Sequence, residues 1–513
     1  MSGSGAQLKK ALIFIHRWMG VFFCLLFLTW FASGIVMMYW QYPQVTAADR
    51  LSRAPALEGS RIHLSPREAY ARLARDSPPV AAQLVTFDGR PTYRFRFGLD
   101  DVFIVYADDG QIQEDFPAEL TLRIASAWTG QPAAAARVQD HTEEDQWTVS
   151  EEFTELRPLR KYSWADGQQV YVSTVTGDVV QYTTRASRLA AWFGAIPHWL
   201  YFTPLRKRGQ QWSRVVIWAA GLGTVAAILG ITIGLWMYSP SKAYRYAGVP
   251  ASFPYHGQKR WHAILGLFFG FFACTWAFSG MLSMDPFPKW QEGSSEGLGP
   301  RLAAALRAEP PLEAFDAKPP REILADAQTL FGSAVKELDM TAGAGEAAYV
   351  AVLGPNETRV IPVLGRPKYE FDRNRIIAAL ERAARPFALS QVRSVNEYEA
   401  YYLDRNNELP LPVIFVQLND AARSMYYIDP KTARIVQGYN SNSRWNRWFY
   451  HGLHSLNLPW LYKFRPAWDI AVILLLLGGA SLCVTALILA WNVLWRKLAP
   501  WSTTPGSHAE SSE

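Results

Sequence analysis

Cysteine is scarce. The 513 residues hold three, Cys24, Cys274 and Cys483, and all of them sit inside apolar stretches. No disulfide can therefore form in the polar regions, and the lack of any Cys-x-x-Cys-His run excludes covalently attached c-type haem. No Gly-x-Gly-x-x-Gly follows a strand-like run, so the chain brings no NAD or FAD fold of its own. Charge is also in short supply: Asp, Glu, Lys and Arg make up 19%, with a net charge of +6 and a pI near 9.0. So small an excess implies no nucleic-acid partner.

What is abundant is uncharged length. Four stretches, Trp18–Trp40, Val215–Tyr238, Trp261–Met284 and Ile470–Val493, each exceed the ~20 residues that cross a bilayer. The mean hydropathy is nonetheless −0.05, because the rest of the chain is polar. The sequence therefore predicts a membrane protein with large soluble parts. The first stretch is too long for a signal peptide and lacks a small-residue cleavage site, so it reads as retained. Lys9, Lys10 and Arg17 precede it, Lys242, Arg245, Lys259 and Arg260 separate the second and third stretches, and Arg496 and Lys497 follow the fourth. The positive-inside tendency then puts both termini and the middle loop in the cytoplasm. Residues 41–211 and 285–467 lie outside, in the periplasm if the cell is Gram-negative.

One pattern is written twice. His16-Arg17-Trp18-Met19-Gly20 with Thr29-Trp30 and Ser33-Gly34 matches His262-Ala263-Ile264-Leu265-Gly266 with Thr275-Trp276 and Ser279-Gly280, always 246 residues apart (262 − 16, 280 − 34). A second run aligns at 256: Tyr171-Val172 with Tyr427-Ile428, Ser187-Arg188 with Ser443-Arg444, Trp192-Phe193 with Trp448-Phe449, and His198 with His454 (454 − 198). Near 254, Pro66-Arg67-Glu68 matches Pro320-Arg321-Glu322. Each half reads as helix, exported domain, amphipathic segment, helix. Both enter the membrane from one side, so the repeat is parallel, with a pseudo-two-fold axis along the membrane normal.

The expected division is residues 1–40 for the N-terminus and first span, 41–190 for a first exported domain, and 191–211 for an interfacial histidine-bearing segment. The second span follows over 212–238, a cytoplasmic loop over 239–259 and the third span over 260–284. A second exported domain covers 285–446, a second interfacial segment 447–467, the fourth span 468–495 and a cytoplasmic tail 496–513. The exported regions read as α+β. Helical periodicity follows Pro66 to Arg75 and Pro320 to Leu330, and Thr92–Phe97 and Asp101–Tyr106 are β-rich runs, the second closed by Asp108-Asp109-Gly110. The stretch Gly293–Pro300 reads as a loop.

Of nine histidines, His63, His141 and His508 lie in polar segments and receive no role, and His256 is unduplicated. On a helix, Gly20, Phe23, Phe27, Trp30 and Gly34 share the face of His16 within ~40°, and His262 has Gly266, Phe269, Ala273, Trp276 and Gly280. Glycine one turn from the imidazole leaves room for a flat macrocycle. Imidazole suits iron, zinc, copper or nickel, and no carboxylate lies at the spacing of a catalytic zinc or di-iron site. Two opposed histidines thus point to bis-histidine haem; the plainer alternative is close helix packing with aromatic anchoring at the interface. His198 and His454 would form a second pair near the outer face. His451, at i and i+3 with His454 and with Ala195 as its counterpart, is an alternative ligand, a propionate donor or an interface residue. The basic run Arg206-Lys207-Arg208 with Arg214, echoed by Lys463 and Arg465, suits lipid phosphates or haem propionates and an anionic substrate equally well.

The His-Arg-Trp-x-Gly start ending in Ser-Gly, the Ser65-Pro66-Arg67-Glu68-Ala69 units with their strand–turn–strand runs, and His451-Gly452-Leu453-His454 together resemble the PepSY-associated transmembrane family, over about residues 9–495. The resemblance implies four membrane helices, periplasmic PepSY-like domains and two b-type haems, as in bacterial inner-membrane ferric-siderophore reductases. It implies His16, His262, His198 and His454 as axial ligands, while Ala195 opposite His451 leaves the outer ligation open between His451 and His454. The expected activity is reduction of a periplasmic ferric siderophore or other ferric chelate, with electrons from a cytosolic reductase or membrane quinol. A second reading is a non-catalytic membrane protein whose exported domains bind peptides or regulate a protease. A carrier is disfavoured by the absence of an intramembrane charge pair.

Overall fold

The computed structural model describes residues 3–98, 101–141, 144–287, 297–308 and 311–498. His508 and most of the tail expected over 496–513 lie outside them. Four long apolar helices span Gly3–Met37, Gly209–Met237, Gly257–Leu282 and Arg465–Leu498. The shortest has 26 residues, which at 1.5 Å each is ~39 Å, enough to cross a ~30 Å hydrocarbon core. The protein is a multi-pass membrane protein with α+β regions between its helices. The first helix begins at Gly3, well ahead of Trp18, because Lys9, Lys10 and Arg17 end an apolar stretch without ending a helix. In the fourth helix Gly478 and Gly479 face the rings of Phe269 and Phe31, leaving no room for a Cβ, so three helices meet at that level.

The first α+β region contributes strands β1 (Ala81–Phe87), β2 (Arg90–Arg96), β3 (Val102–Tyr106) and β4 (Ile112–Gln113). Next come β5 (Arg137–His141), β6 (Leu159–Ser163), β7 (Gln169–Ser173) and β8 (Val179–Thr183), which form a separate antiparallel sheet. A small hairpin, β9 (Tyr244–Tyr246) with β10 (Val249–Ala251), lies between the second and third membrane helices. The second region has β11 (Arg307–Ala308), β12 (Glu337–Gly343), β13 (Glu346–Gly354) and β14 (Glu357–Pro362). It ends with β15 (Leu389–Val395), β16 (Val413–Leu418), β17 (Met425–Asp429) and β18 (Arg434–Tyr439) in their own four-stranded sheet.

Regions 41–190 and 285–446, expected as separate domains, are joined. One sheet runs β14-β13-β12-β1-β2-β3-β4, and its central ladder pairs β1 with β12 antiparallel through Ala82↔Met340, Gln83↔Asp339 and Leu84↔Leu338. Without that pairing each half would expose an unpaired strand edge. Beneath the ladder one apolar core draws on both halves: Leu84, Tyr93 and Phe95 pack with Leu338, Met340 and Tyr349, all at most 2% exposed. The helices Pro66–Ala71 and Pro320–Phe331 cover it with Ala69, Ile323 and Ala327. Ser65 and Glu68 form a capping box at the start of the first of these. That helix stops short of the expected Arg75, because the chain turns and Ala74 takes a left-handed φ of 49°. The expected loop Gly293–Pro300 falls outside the described residues at 293–296; from Leu298 the chain is helical, with Pro300 in the first turn, where no N–H is required.

Leu84 and Leu338 oppose each other across the joined halves. Leu84→Ala and Leu338→Ala should each cost about 2–5 kcal/mol, read as a lower denaturant midpoint of the α+β portion in detergent. Equal midpoints for variant and parent chain would show that the seam carries no core.

Candidate functional site: two facing histidine pairs

The bundle brings the first- and third-helix histidines together. The rings of His16 and His262 face each other with centroids 6.3 Å apart and planes at 39°. His16 Nδ1 donates to the Ala226 carbonyl of the second helix at 3.1 Å. His262 Nδ1 lies 3.0 Å from Thr485 Oγ1 of the fourth helix. The Thr485 hydroxyl donates to the Leu482 carbonyl at 2.7 Å, so its oxygen accepts from His262.

His198 and His454 lie on the segments that lead into the second and fourth membrane helices. His198 sits in the short helix Ala195–Trp199, which stops where Leu200 takes a left-handed φ of 53°. His454 follows the π-helical turn Arg447–Gly452. Their rings are 5.9 Å apart at 71°. His198 Nδ1 lies 3.1 Å from Ser33 Oγ and donates to the Trp30 carbonyl at 3.2 Å. His454 Nδ1 lies 3.0 Å from Ser279 Oγ, whose own hydroxyl donates to the Trp276 carbonyl. Burial pushes the His198 imidazolium down to about 4, and burial with the facing His198 ring pushes His454 to about 3. Both are neutral at physiological pH.

In all four histidines Nδ1 carries the proton and is anchored to a membrane helix, which leaves the Nε2 lone pair for a ligand. Glycine makes three of these anchors possible. A helix carbonyl is normally screened by the side chain four residues on. Here the positions four residues after Ala226, Trp30 and Trp276 are Gly230, Gly34 and Gly280. A Cβ on Gly230 would fall 2.7 Å from His16 Cε1, and on Gly280 3.5 Å from His454 Cε1. At the fourth anchor position 486 is alanine, and the Thr485 hydroxyl makes the reach instead.

A cavity of about 570 Å³ opens beside His198 and His454, within the size range of cofactor pockets. Its body is apolar, with Phe27, Phe31, Val472 and Leu476 among the lining residues. Among the described residues, four buried N–H groups on this wall have no partner: Trp30 Nε1, Trp276 Nε1, Arg206 Nε and Arg405 Nη2. Arg206 otherwise pairs with Glu151 at 3.4 Å, and Arg405 Nη1 donates to the Met37 carbonyl at 3.0 Å. Unpaired buried donors are costly. The wall therefore suits an apolar ligand that carries hydrogen-bond acceptors at its edge.

Of the basic run, only Arg206 reaches this wall; Lys207, Arg208 and Arg214 are exposed, and Lys463 and Arg465 pair with Glu397 and Asp469. His451 is exposed and does not line the cavity; its ring packs on Tyr450 at 4.8 Å. The wider π-helical turn carries it off the face of His454. The sequence reading missed Arg405, an unduplicated loop residue without any local signal. It also missed the anchoring role of Ser33 and Ser279, although the duplicated Ser-Gly pairs marked the place. Among the described residues no group of three His, Cys, Asp or Glu side chains is placed to hold a bare metal ion.

A search of curated proteins gives no match. The family model described as the PepSY-associated TM region matches residues 14–354, from just before His16, through His198 and His262, to the end of β13. That match covers well over half of the chain, and the protein belongs to the PepSY-associated transmembrane family.

Proposed function

We propose that this chain is a di-haem b electron-transfer protein of the bacterial inner membrane that reduces a ferric chelate, such as a ferric siderophore, in the periplasm. The observation that carries the reading is the two pairs of facing imidazoles, each anchored at Nδ1. Two metal–nitrogen bonds of ~2 Å plus a ring radius of ~1.1 Å on each side give a centroid spacing of ~6 Å for two imidazoles sharing one metal. The observed 6.3 and 5.9 Å fit that spacing. Each pair offers two nitrogen ligands, so a metal held there would need further ligands, which a porphyrin would bring.

When bound, the two haems would supply one-electron chemistry between a cytosolic reductase or membrane quinol and the ferric chelate. The residues of the chain do the rest. Ala226, Thr485, Ser33 and Ser279 fix ring orientation and tautomer. Arg206 and Arg405 offer positive charge to propionates, and Trp30 and Trp276 offer neutral donors. Phe23, Phe27, Phe31 and Trp276, in successive ring contacts of 6.3, 6.3 and 5.8 Å, make the part of the bundle between the pairs apolar. His16 and Ser33 are 17 positions apart on the first helix (33 − 16), or ~25 Å, which separates the pairs by most of a bilayer. In the proposed orientation both termini are cytoplasmic and the α+β regions periplasmic, with His16/His262 as the inner pair.

We further read the chain as a parallel repeat about a pseudo-two-fold axis. The β1–β12 register supports this: Ala82↔Met340 and Leu84↔Leu338 are symmetric about Gln83↔Asp339, and those two are 256 apart (339 − 83), as His198 and His454 are. The helix levels of the two inner anchors, Ala226 and Leu482, share the same separation (482 − 226).

Pyridine-haemochrome analysis of the purified chain should give two b-type haems. The double variant His16→Ala/His262→Ala should lose one and His198→Ala/His454→Ala the other, while His451→Ala should keep both. Full haem content in both double variants would sink the assignment and favour the non-catalytic reading. Gly230→Ala, by pushing the His16 ring off its carbonyl, should lower inner-haem occupancy in the same assay. Arg405→Leu removes a cation from the outer site, so the oxidised haem gains relative stability. Its midpoint potential should fall by roughly 30–60 mV, from ~1 kcal/mol of lost charge stabilisation, in a redox titration followed at the α band.

A further inference from the structure

The face of the central sheet opposite its apolar core is polar where the two halves join. Gln83, Asp339 and Thr341 project there from β1 and β12, with Arg96 from β2, and Arg307 and Arg434 reach over from β11 and β18. Together they line a cavity of about 110 Å³. At ~10–15 Å³ per water by the same measure, that is room for a compact anion and several waters.

The charges around this cavity do not balance. Among the described residues Asp339 is the single carboxylate in the wall, and both of its oxygens are taken. Gln83 Nε2 donates to Oδ1 at 2.5 Å, while Arg307 and Arg434 bond Oδ2 at 3.1 and 2.8 Å. The nearby pairs Arg50–Glu337 and Arg94–Asp178 are balanced within themselves. Three guanidinium groups therefore face one carboxylate, and among the described residues no ion pair engages Arg96. Thr341 adds a second, independent sign. It is 1% exposed, and among the described residues its hydroxyl oxygen has no hydrogen-bond partner. Arg307 is held below the ordinary arginine range by burial, and the neighbouring Arg434 adds to that. An apolar filling would leave the cations uncompensated, whereas a planar or tetrahedral oxyanion can accept from several forked donors at once.

We propose that this cavity is a binding site for one oxyanion group, a carboxylate or a phosphate, gripped by Arg96 from the first half and by Arg307 and Arg434 from the second, with the Thr341 hydroxyl as a neutral donor. Such a ligand would cross-link the two halves at their seam. The site lies away from both histidine pairs, and its test does not depend on haem.

The test uses the full chain in detergent micelles, titrated by calorimetry and thermal unfolding with inorganic phosphate and, separately, citrate, against chloride at matched ionic strength. One saturable site per chain is expected. Arg96→Gln, an exposed position, should weaken it about tenfold, the loss of one charge-assisted contact. Thr341→Val, which keeps shape and burial, should weaken it several-fold. A loss in either variant supports the site, and the anion that saturates at lower concentration gives its class. No saturable binding of either anion beyond the chloride control, or undiminished affinity in both variants, would overturn it.

Discussion

An imidazole buried among helices has two nitrogens to satisfy and few partners to choose from, because the helix backbone bonds to itself. Everything distinctive about this bundle follows from how that constraint is met. One nitrogen of each of four histidines reaches a carbonyl or hydroxyl on another helix, and the four rings form two pairs with centroids 6.3 and 5.9 Å apart. His16 binds the first helix to the second, His262 the third to the fourth, and His198 and His454 fasten their segments to the first and third. The histidine anchors thus tie neighbouring helices and segments together as well as orienting the rings.

The price of this arrangement is carried by small residues. A ring can close on a helix backbone where the next turn lacks a side chain, and a Cβ at Gly34, Gly230 or Gly280 would meet the ring of His198, His16 or His454. Close approach of this kind is the ordinary use of glycine in membrane helices, but here the partner is a ring. Two anchors end on a hydroxyl, Ser279 for His454 and Thr485 for His262, and only the second stands without such a glycine.

Much of this was legible in the chain before folding. The four apolar stretches mark the membrane helices, and the paired histidines, with their Ser-Gly companions, are visible at constant spacing. So were the strands β2 and β3 and the helices beginning at Pro66 and Pro320. Other features depend on contacts that local pattern does not encode. The β1–β12 ladder joins segments more than 250 residues apart (339 − 83 = 256), and neither strand carries a mark of its partner. Arg405 reaches the cavity from a loop with no copy in the first half. The i, i+3 spacing of His451 and His454 implies a shared face only in an α-helix, and the π-helical turn removes that premise.

The joined sheet also bears on how the protein is made. The β1 edge is complete by Phe87, yet its partner β12 begins at Glu337, after the second and third membrane helices. At ~5–20 residues per second of synthesis, the edge waits roughly 10–50 s for its neighbour. Through that interval the first half presents a finished sheet with one open side and half of its apolar core uncovered. Biogenesis must therefore shield that edge, or hold the first half unfolded, until two more helices have entered the membrane.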